Sequence, residues 1–300
     1  MKIFKKLMLF LAISAIFLGQ PVFAENFYSQ ISRTVIRFEH FEQSMYEGSE
    51  KVYRQSKPNG TGFFVRSGND LFVVSVRHVV ERQYDLHARI EYLNSDSGKK
   101  EGVVLKLPRK NWVFHPENGD KENYFVDVAA MKIPWPSGRR VMYFQYEPEP
   151  SSSSGLNQLP AVDPDPPLNV LAFGFPLNIG FDLAEQRPLG RAGIISMKTG
   201  KKFLRLSFPT GKRFAEERCF LVDLEAFPGN SGSPILNHNS IYTNPKLVGI
   251  LSAANLNLDF AIVEPVSRIR EVLDIARTKP LQKGTYWFPV KNQTNKDDGQ

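Results

Sequence analysis

The chain has a single cysteine, Cys219, in 300 residues. An internal disulfide is therefore excluded, and the fold has to be held by packing and hydrogen bonds alone. The surrounding run "CFLVDLEAF" reads as a buried strand with the thiol inside it. Beyond the first 24 residues, no segment reaches the ~18 consecutive apolar residues that a membrane-spanning helix needs. No stripe of basic and aromatic residues appears, so nucleic acid is not an expected partner. No repeat at solenoid spacing is present. Nothing in the pattern calls for a metal or a cofactor, and none is expected.

The first 24 residues stand apart. Lys2, Lys5 and Lys6 form a basic start, Leu7 to Leu18 is almost wholly apolar, and "PVFA" ends on Ala24 with Val22 two residues before it. That order predicts a secretory signal peptide cut after Ala24 rather than a membrane anchor. The mature chain is then an exported protein of the periplasm or extracellular space, without stable membrane insertion. Its net charge drops from +7 to +4, because the leader carries three lysines and no acid.

Short apolar runs rich in Val, Ile and Phe recur between turn residues: "TVIRF", "GFFVR", "LFVVSV", "ARIEYL", "GVVLKL", "DVAAMKI", then "NVLAFGF", "AGIISM", "FLRLSF", "CFLVDL", "LVGILS" and "FAIVEP". Runs this short read as strands. Residues 147–167, "EPEPSSSSGLNQLPAVDPDPP", separate the two groups and read as a linker, since their prolines cannot enter a central strand. The expected fold is all-β: two antiparallel barrels or sandwiches, the first over about 30–146 and the second over 168–277. "PVSRIREVLDIAR" spaces Val266, Ile269, Val272, Leu273 and Ile275 or Ala276 as one face of a helix closing the second unit. Residues 278–300 are expected to form a partly disordered tail.

"FPGNSGSPI", residues 227–235, places Ser231 between glycines. Ordinary turn chemistry before a strand accounts for it equally well. A serine hydroxyl attacks only if a base takes its proton. Of five histidines, His40, His87, His115 and His238 read as surface or loop residues. His78 differs, since it follows the apolar run "LFVVSV" and precedes Val79 and Val80. A histidine there is either a satisfied core residue or a base. Asp127 opens the apolar "DVAAMKI", either as a strand-entry residue or as the acid that orients an imidazole; Asp223 and Asp259 are reserve candidates.

"GTGFFV" with "VSVRHVV", then "DVAAMKI", then "FPGNSGSPI", in the order His, Asp, Ser, resembles the trypsin/chymotrypsin-like serine peptidases. Within them it is most similar to bacterial exported members of the HtrA and glutamyl-endopeptidase type. "LAFGFPLNIG", "AGIIS", "LVGILSAA" and "DFAIVEPVSRI" extend the likeness over roughly residues 58–277, as one peptidase domain within 25–277. Only 23 residues follow Arg277, so no PDZ-like domain is expected.

The resemblance implies two antiparallel six-stranded β-barrels with a C-terminal helix, and that Ser231 is the nucleophile, His78 the base and Asp127 the residue that orients the imidazole and stabilises its charged form. The backbone N–H groups of Gly229 and Ser231 would form the oxyanion hole. Ser252, Ala253 and Ala254 would line the substrate edge, with Ser252 also supporting Asp127. Glu225 falls either near the base of the specificity pocket, favouring a basic residue, or faces solvent. Arg77 beside the base is expected to point to solvent. The implied substrate is a protein or peptide. The alternative is a catalytically silent module that binds peptides or envelope proteins in the same groove. An α/β-hydrolase esterase is disfavoured, because its Gly-x-Ser-x-Gly elbow is missing and His78 precedes the serine. Oligomeric state is open.

Overall fold

The computed structural model describes residues 27–40, 57–94, 100–117, 126–135, 139–146, 159–160, 162–176, 187–199, 205–207, 213–215, 219–240, 246–255, 260–281 and 283–289. The leader, most of the linker and residues 290–300 lie outside these segments. Among the described residues, no helix is long and apolar enough to cross a membrane.

Helix α1 (Phe27–Thr34) leads into β1 (Val35–His40), β2 (Lys57–Ser67), β3 (Asp70–Ser75), the single-turn helix α2 (Arg77–Val80), β4 (Leu86–Asn94) and β5 (Lys100–Leu107). The first unit continues with β6 (Val113–Phe114), β7 (Ala129–Ile133), β8 (Arg139–Arg140) and β9 (Phe144–Tyr146). The second contains β10 (Leu168–Gly174), β11 (Leu189–Lys198), β12 (Arg205–Ser207), β13 (Arg213–Ala215), β14 (Phe220–Asp223), β15 (Pro234–Asn237), β16 (Leu247–Asn255) and β17 (Phe260–Pro265). Helix α3 (Val266–Thr278) and β18 (Tyr286–Pro289) complete the chain.

The second unit is a closed six-stranded barrel in the order β10-β11-β14-β17-β16-β15, with β12 and β13 as a separate ribbon. The first is a half-barrel within a ten-stranded sheet, running β18-β5-β4-β1-β2-β3-β7-β6 with β8 and β9 attached at its side. The fold class and the two-barrel architecture are thus as expected, but the first sheet is wider. β9 pairs with β2 in parallel, and β18 returns from the C-terminal side to pair with β5. The tail accordingly contains a strand, Tyr286–Pro289, which its polar surroundings disguise in the sequence.

Helix α3 buries Val266, Ile269, Val272, Leu273 and Ala276, the face read from the 3.6-residue spacing. Each large apolar side chain so buried contributes about 1.5–3 kcal/mol. The helix also buries Arg268, whose guanidinium bonds Glu117 at 2.6 Å. His115 corrects the surface reading: it is buried, and its Nε2 lies 2.5 Å from Glu271 on α3. A Pro-bounded loop looked exposed in the sequence only because the helix that covers it comes 156 residues later.

Candidate active site

Two strand pairings assemble the site. β3 and β7 run antiparallel with Ser75 opposite Ala129. His78 follows the end of β3 by three residues and Asp127 precedes β7 by two, so the pairing brings them together. β15 and β16 are likewise antiparallel, with Pro234 opposite Ile250. Gly232 N–H donates to Leu251 O at 2.8 Å, and Leu251 N–H donates to Ser233 O at 2.9 Å. This extension of the ladder sets Ser231 beside Ser252.

His78 Nδ1 lies 2.6 Å from Asp127 Oδ2, and the His78 backbone N–H donates to Oδ1 at 2.9 Å. Ser252 Oγ donates to Oδ2 at 2.6 Å. Burial of Asp127 acts to raise its carboxyl, but the His78 charge and the bonds from His78 and Ser252 outweigh it, leaving the carboxyl below its ordinary range. An ionised carboxylate only accepts, so the ring nitrogen facing it is N–H, and in the neutral ring Nε2 is the acceptor. Arg77 does not point to solvent as expected: its side chain is largely covered, pairing with Glu81 at 2.8 and 3.0 Å and lying over the Phe114 ring.

Ser231 Oγ donates to the carbonyl of Ser252 at 3.3 Å. Ser252 thus touches both Asp127 and Ser231. Val79, the neighbour of His78, and the Ser231 carbonyl both crowd Gly60: a Cβ placed there would lie 2.9 Å from Val79 and 3.1 Å from Ser231 O. Among the described residues, no hydrogen bond joins Ser231 Oγ to His78.

The turn itself shows a selective pattern. Asn230 N–H donates to Phe227 O and Ser233 N–H to Asn230 O, while Gly232 N–H is used on Leu251. In the stretch 229–233, only the N–H groups of Gly229 and Ser231 find no acceptor among the described residues. Two backbone features permit this. Gly229 has φ +98° and Gly232 φ +90°, angles that side chains resist, and a Cβ on Gly232 would lie 1.8 Å from Thr61 O.

Ala253 and Ala254 are half-buried on β16, opposite Ile262 and Ala261. Glu225 is not brought to this cluster. Its exposed carboxylate accepts Arg191 Nη1 at 2.9 Å, and the Arg191 guanidinium lies over Phe227. Of the reserve acids, Asp223 is exposed at the end of β14 and Asp259 lies outside the described residues.

Sequence reading missed Glu264, whose Oε1 accepts the Asp127 backbone N–H at 3.1 Å. The available signal was a lone acid at the end of the apolar run "FAIVEP". The Cys219 thiol, buried as expected, faces the other carboxyl oxygen at 3.6 Å. Burial pushes the Glu264 carboxyl up to about 7; the Asp127 N–H, Arg268 and the thiol oppose the rise, and the Asp127 charge reinforces it. The folded state therefore holds a proton that the unfolded chain, at the ordinary 4.5, releases. Stability falls as pH rises across that window and stays lower above it. At ~1.4 kcal/mol per unit, the loss is on the order of 3 kcal/mol between pH 5 and 8. Glu264→Gln cannot ionise and should escape it, so denaturant midpoints at several pH values should converge or cross. Parallel pH slopes for the two proteins would contradict this.

A closed barrel packed on a half-barrel, with His78 on one and Ser231 on the other, defines the trypsin-like class of peptidase folds. The chain belongs to the trypsin-like peptidase domain family, whose model matches residues 60–250. Among solved structures, it is similar to the Rv3671c protease from M. tuberculosis in its active form, at 15% identity and TM-score 0.49, covering 91% of this chain and 90% of that one. The inactive form of that protease matches at 15% identity and TM-score 0.46, covering 86% and 96%. Deg5 matches at 17% identity and TM-score 0.46, covering 84% and 92%. No curated protein sequence matches.

Proposed function

We propose that this peptidase is an exported serine endopeptidase that hydrolyses peptide bonds through an acyl-enzyme. The observation that carries the reading is the pair of unbound N–H groups at Gly229 and Ser231 beside a hydroxyl connected through Ser252 to the Asp127–His78 pair. Substrate entry exchanges the Ser252 carbonyl for His78 Nε2 as the partner of Ser231 Oγ. Hydrogen bonds of this kind often tighten only once substrate is bound. Ser231 then attacks the peptide carbonyl, its proton passes to His78, and the oxyanion takes the two N–H groups. Each such donor is worth about 3 kcal/mol. His78 returns the proton to the leaving amine; water repeats the sequence on the ester. The half-buried edge of Ala253 and Ala254 pairs with the substrate backbone.

Export rests on residues 1–24, and mass spectrometry of the exported protein should find Glu25 at its N-terminus. Activation by a further cut is not needed in this reading. Asn230 is buried and neutral, so no ammonium group has to be brought in to balance a charge before the nucleophile. Protein beginning at Glu25 should therefore cleave casein and react with a fluorophosphonate at once, without lag or further N-terminal shortening. Activity that appears only after cleavage within residues 26–60 would contradict it. One observation favours the silent peptide-binding alternative, namely that Ser231 Oγ bonds Ser252 rather than His78. Mature protein that binds peptides but reacts with no serine probe would establish that alternative.

A further inference from the structure

Thr61 lies on β2 of the half-barrel, fully buried, in the "GTGFF" run. Its Oγ1–H donates to Gly229 O at 2.8 Å, and the same oxygen accepts the Phe175 N–H at 3.2 Å. Its backbone N–H donates to Ser231 O at 2.9 Å, while its carbonyl accepts Ser75 Oγ at 2.7 Å. One residue of the half-barrel therefore holds the carbonyls on both sides of Asn230. In the trans peptides of this turn, a carbonyl and the N–H of its own unit point in opposite directions; the two held units carry the Asn230 and Gly232 N–H groups and border the units that carry the Gly229 and Ser231 N–H groups. The Ser231 bond is made by backbone and survives any side chain at 61. The Gly229 bond depends on the hydroxyl alone; the Asn230 N–H at the other end of that unit is held by Phe227 O at 3.0 Å, so the hydroxyl is one of two ties on a unit that follows a glycine with φ +98°.

We propose that Thr61 is a positioning residue for the oxyanion hole: its hydroxyl latches Gly229 O to the half-barrel and so keeps the adjacent N–H groups aimed at the developing oxyanion. This rests on the serine-peptidase reading. It also makes the hole a joint product of both barrels, although its donors all belong to the second.

Thr61→Val preserves size and removes the hydroxyl, leaving Gly229 O and Phe175 N–H unpartnered. Thr61→Ala removes it with no possible crowding, and Thr61→Ser restores it. Each is compared with wild type after active-site titration, so that misfolded protein does not count. With a peptide substrate, the Val and Ala variants should lose kcat by 10- to 100-fold with KM nearly unchanged. That is less than the 10²–10³ for deleting a donor outright, because the N–H groups remain. A peptide boronate, which bonds to Ser231 Oγ as a tetrahedral adduct, should bind more weakly by a similar factor, while a cleaved product peptide binds as before. Thr61→Ser should stay within about threefold of wild type. Equal kcat and boronate affinity per titrated site in either hydroxyl-free variant would overturn the proposal. So would a Ser variant as impaired as Val, since shape rather than the hydroxyl would then matter. Wild-type protein that binds no boronate and takes no fluorophosphonate would overturn the peptidase reading itself, and the proposal with it.

Discussion

Ser231→Ala should abolish fluorophosphonate labelling and reduce casein hydrolysis by about a millionfold, the scale seen when a serine nucleophile is removed. His78→Ala should fall to nearly the same level, and the double variant no lower, because nucleophile and base act as one unit. The structure gives this test a specific edge. Ser231 Oγ is bonded to the Ser252 carbonyl, so a hydroxyl that merely closed the turn would leave peptidase activity intact when deleted. The fold should survive the change, since both backbone bonds around the residue, Thr61 N–H to Ser231 O and Gly232 N–H to Leu251 O, are unaffected. Unchanged melting with lost activity is the expected pair of results. Robust labelling of Ser231→Ala at another residue would sink the assignment.

Asp127→Asn should lower kcat/KM by about ten-thousandfold while leaving the backbone in place. The size follows from what faces the carboxylate. Oδ1 receives the His78 backbone N–H; Oδ2 receives Ser252 Oγ–H and sits 2.6 Å from His78 Nδ1. An amide has only one oxygen to offer. With its NH₂ at the Oδ1 position, it meets the backbone donor of His78. With its NH₂ at the Oδ2 position, it donates to Nδ1, drives the proton to Nε2, and leaves no acceptor for the Ser231 proton. The second arrangement is the less costly one, because the Ser252 hydroxyl can rotate to accept. Folding should be retained and the wrong tautomer populated. A loss of less than tenfold would mean that Asp127 is a strand-entry residue and that His78 is oriented by something else.

The motifs were readable because their spacing is local. "DVAAMKI" puts an acid two residues ahead of a strand, "LFVVSV" ends two residues ahead of His78, and "GNSG" demands positive φ; each is a statement about a few neighbouring residues. The same locality made α3 legible from one apolar face. Features that depend on distant partners were not legible. His115 reads as a loop histidine until α3 covers it, and β18 has no periodicity strong enough to announce that it will join β5. Glu225 reads as either a pocket charge or a solvent-facing one, and its exposed carboxylate, paired with Arg191 of β11, decides for the second.

The class of fold, the order of the three candidate residues and the glycines of the turn are legible in the chain's local pattern, because alternation, helical spacing and steric freedom are properties of neighbouring residues. How the site is held emerges on folding: Ser252 between Asp127 and Ser231, Glu264 on the Asp127 N–H, and Thr61 across the barrels on Gly229. Those are hydrogen bonds between residues 21 to 168 positions apart. Which groups meet at such separations depends on strand register and barrel closure, quantities that no short stretch of sequence encodes.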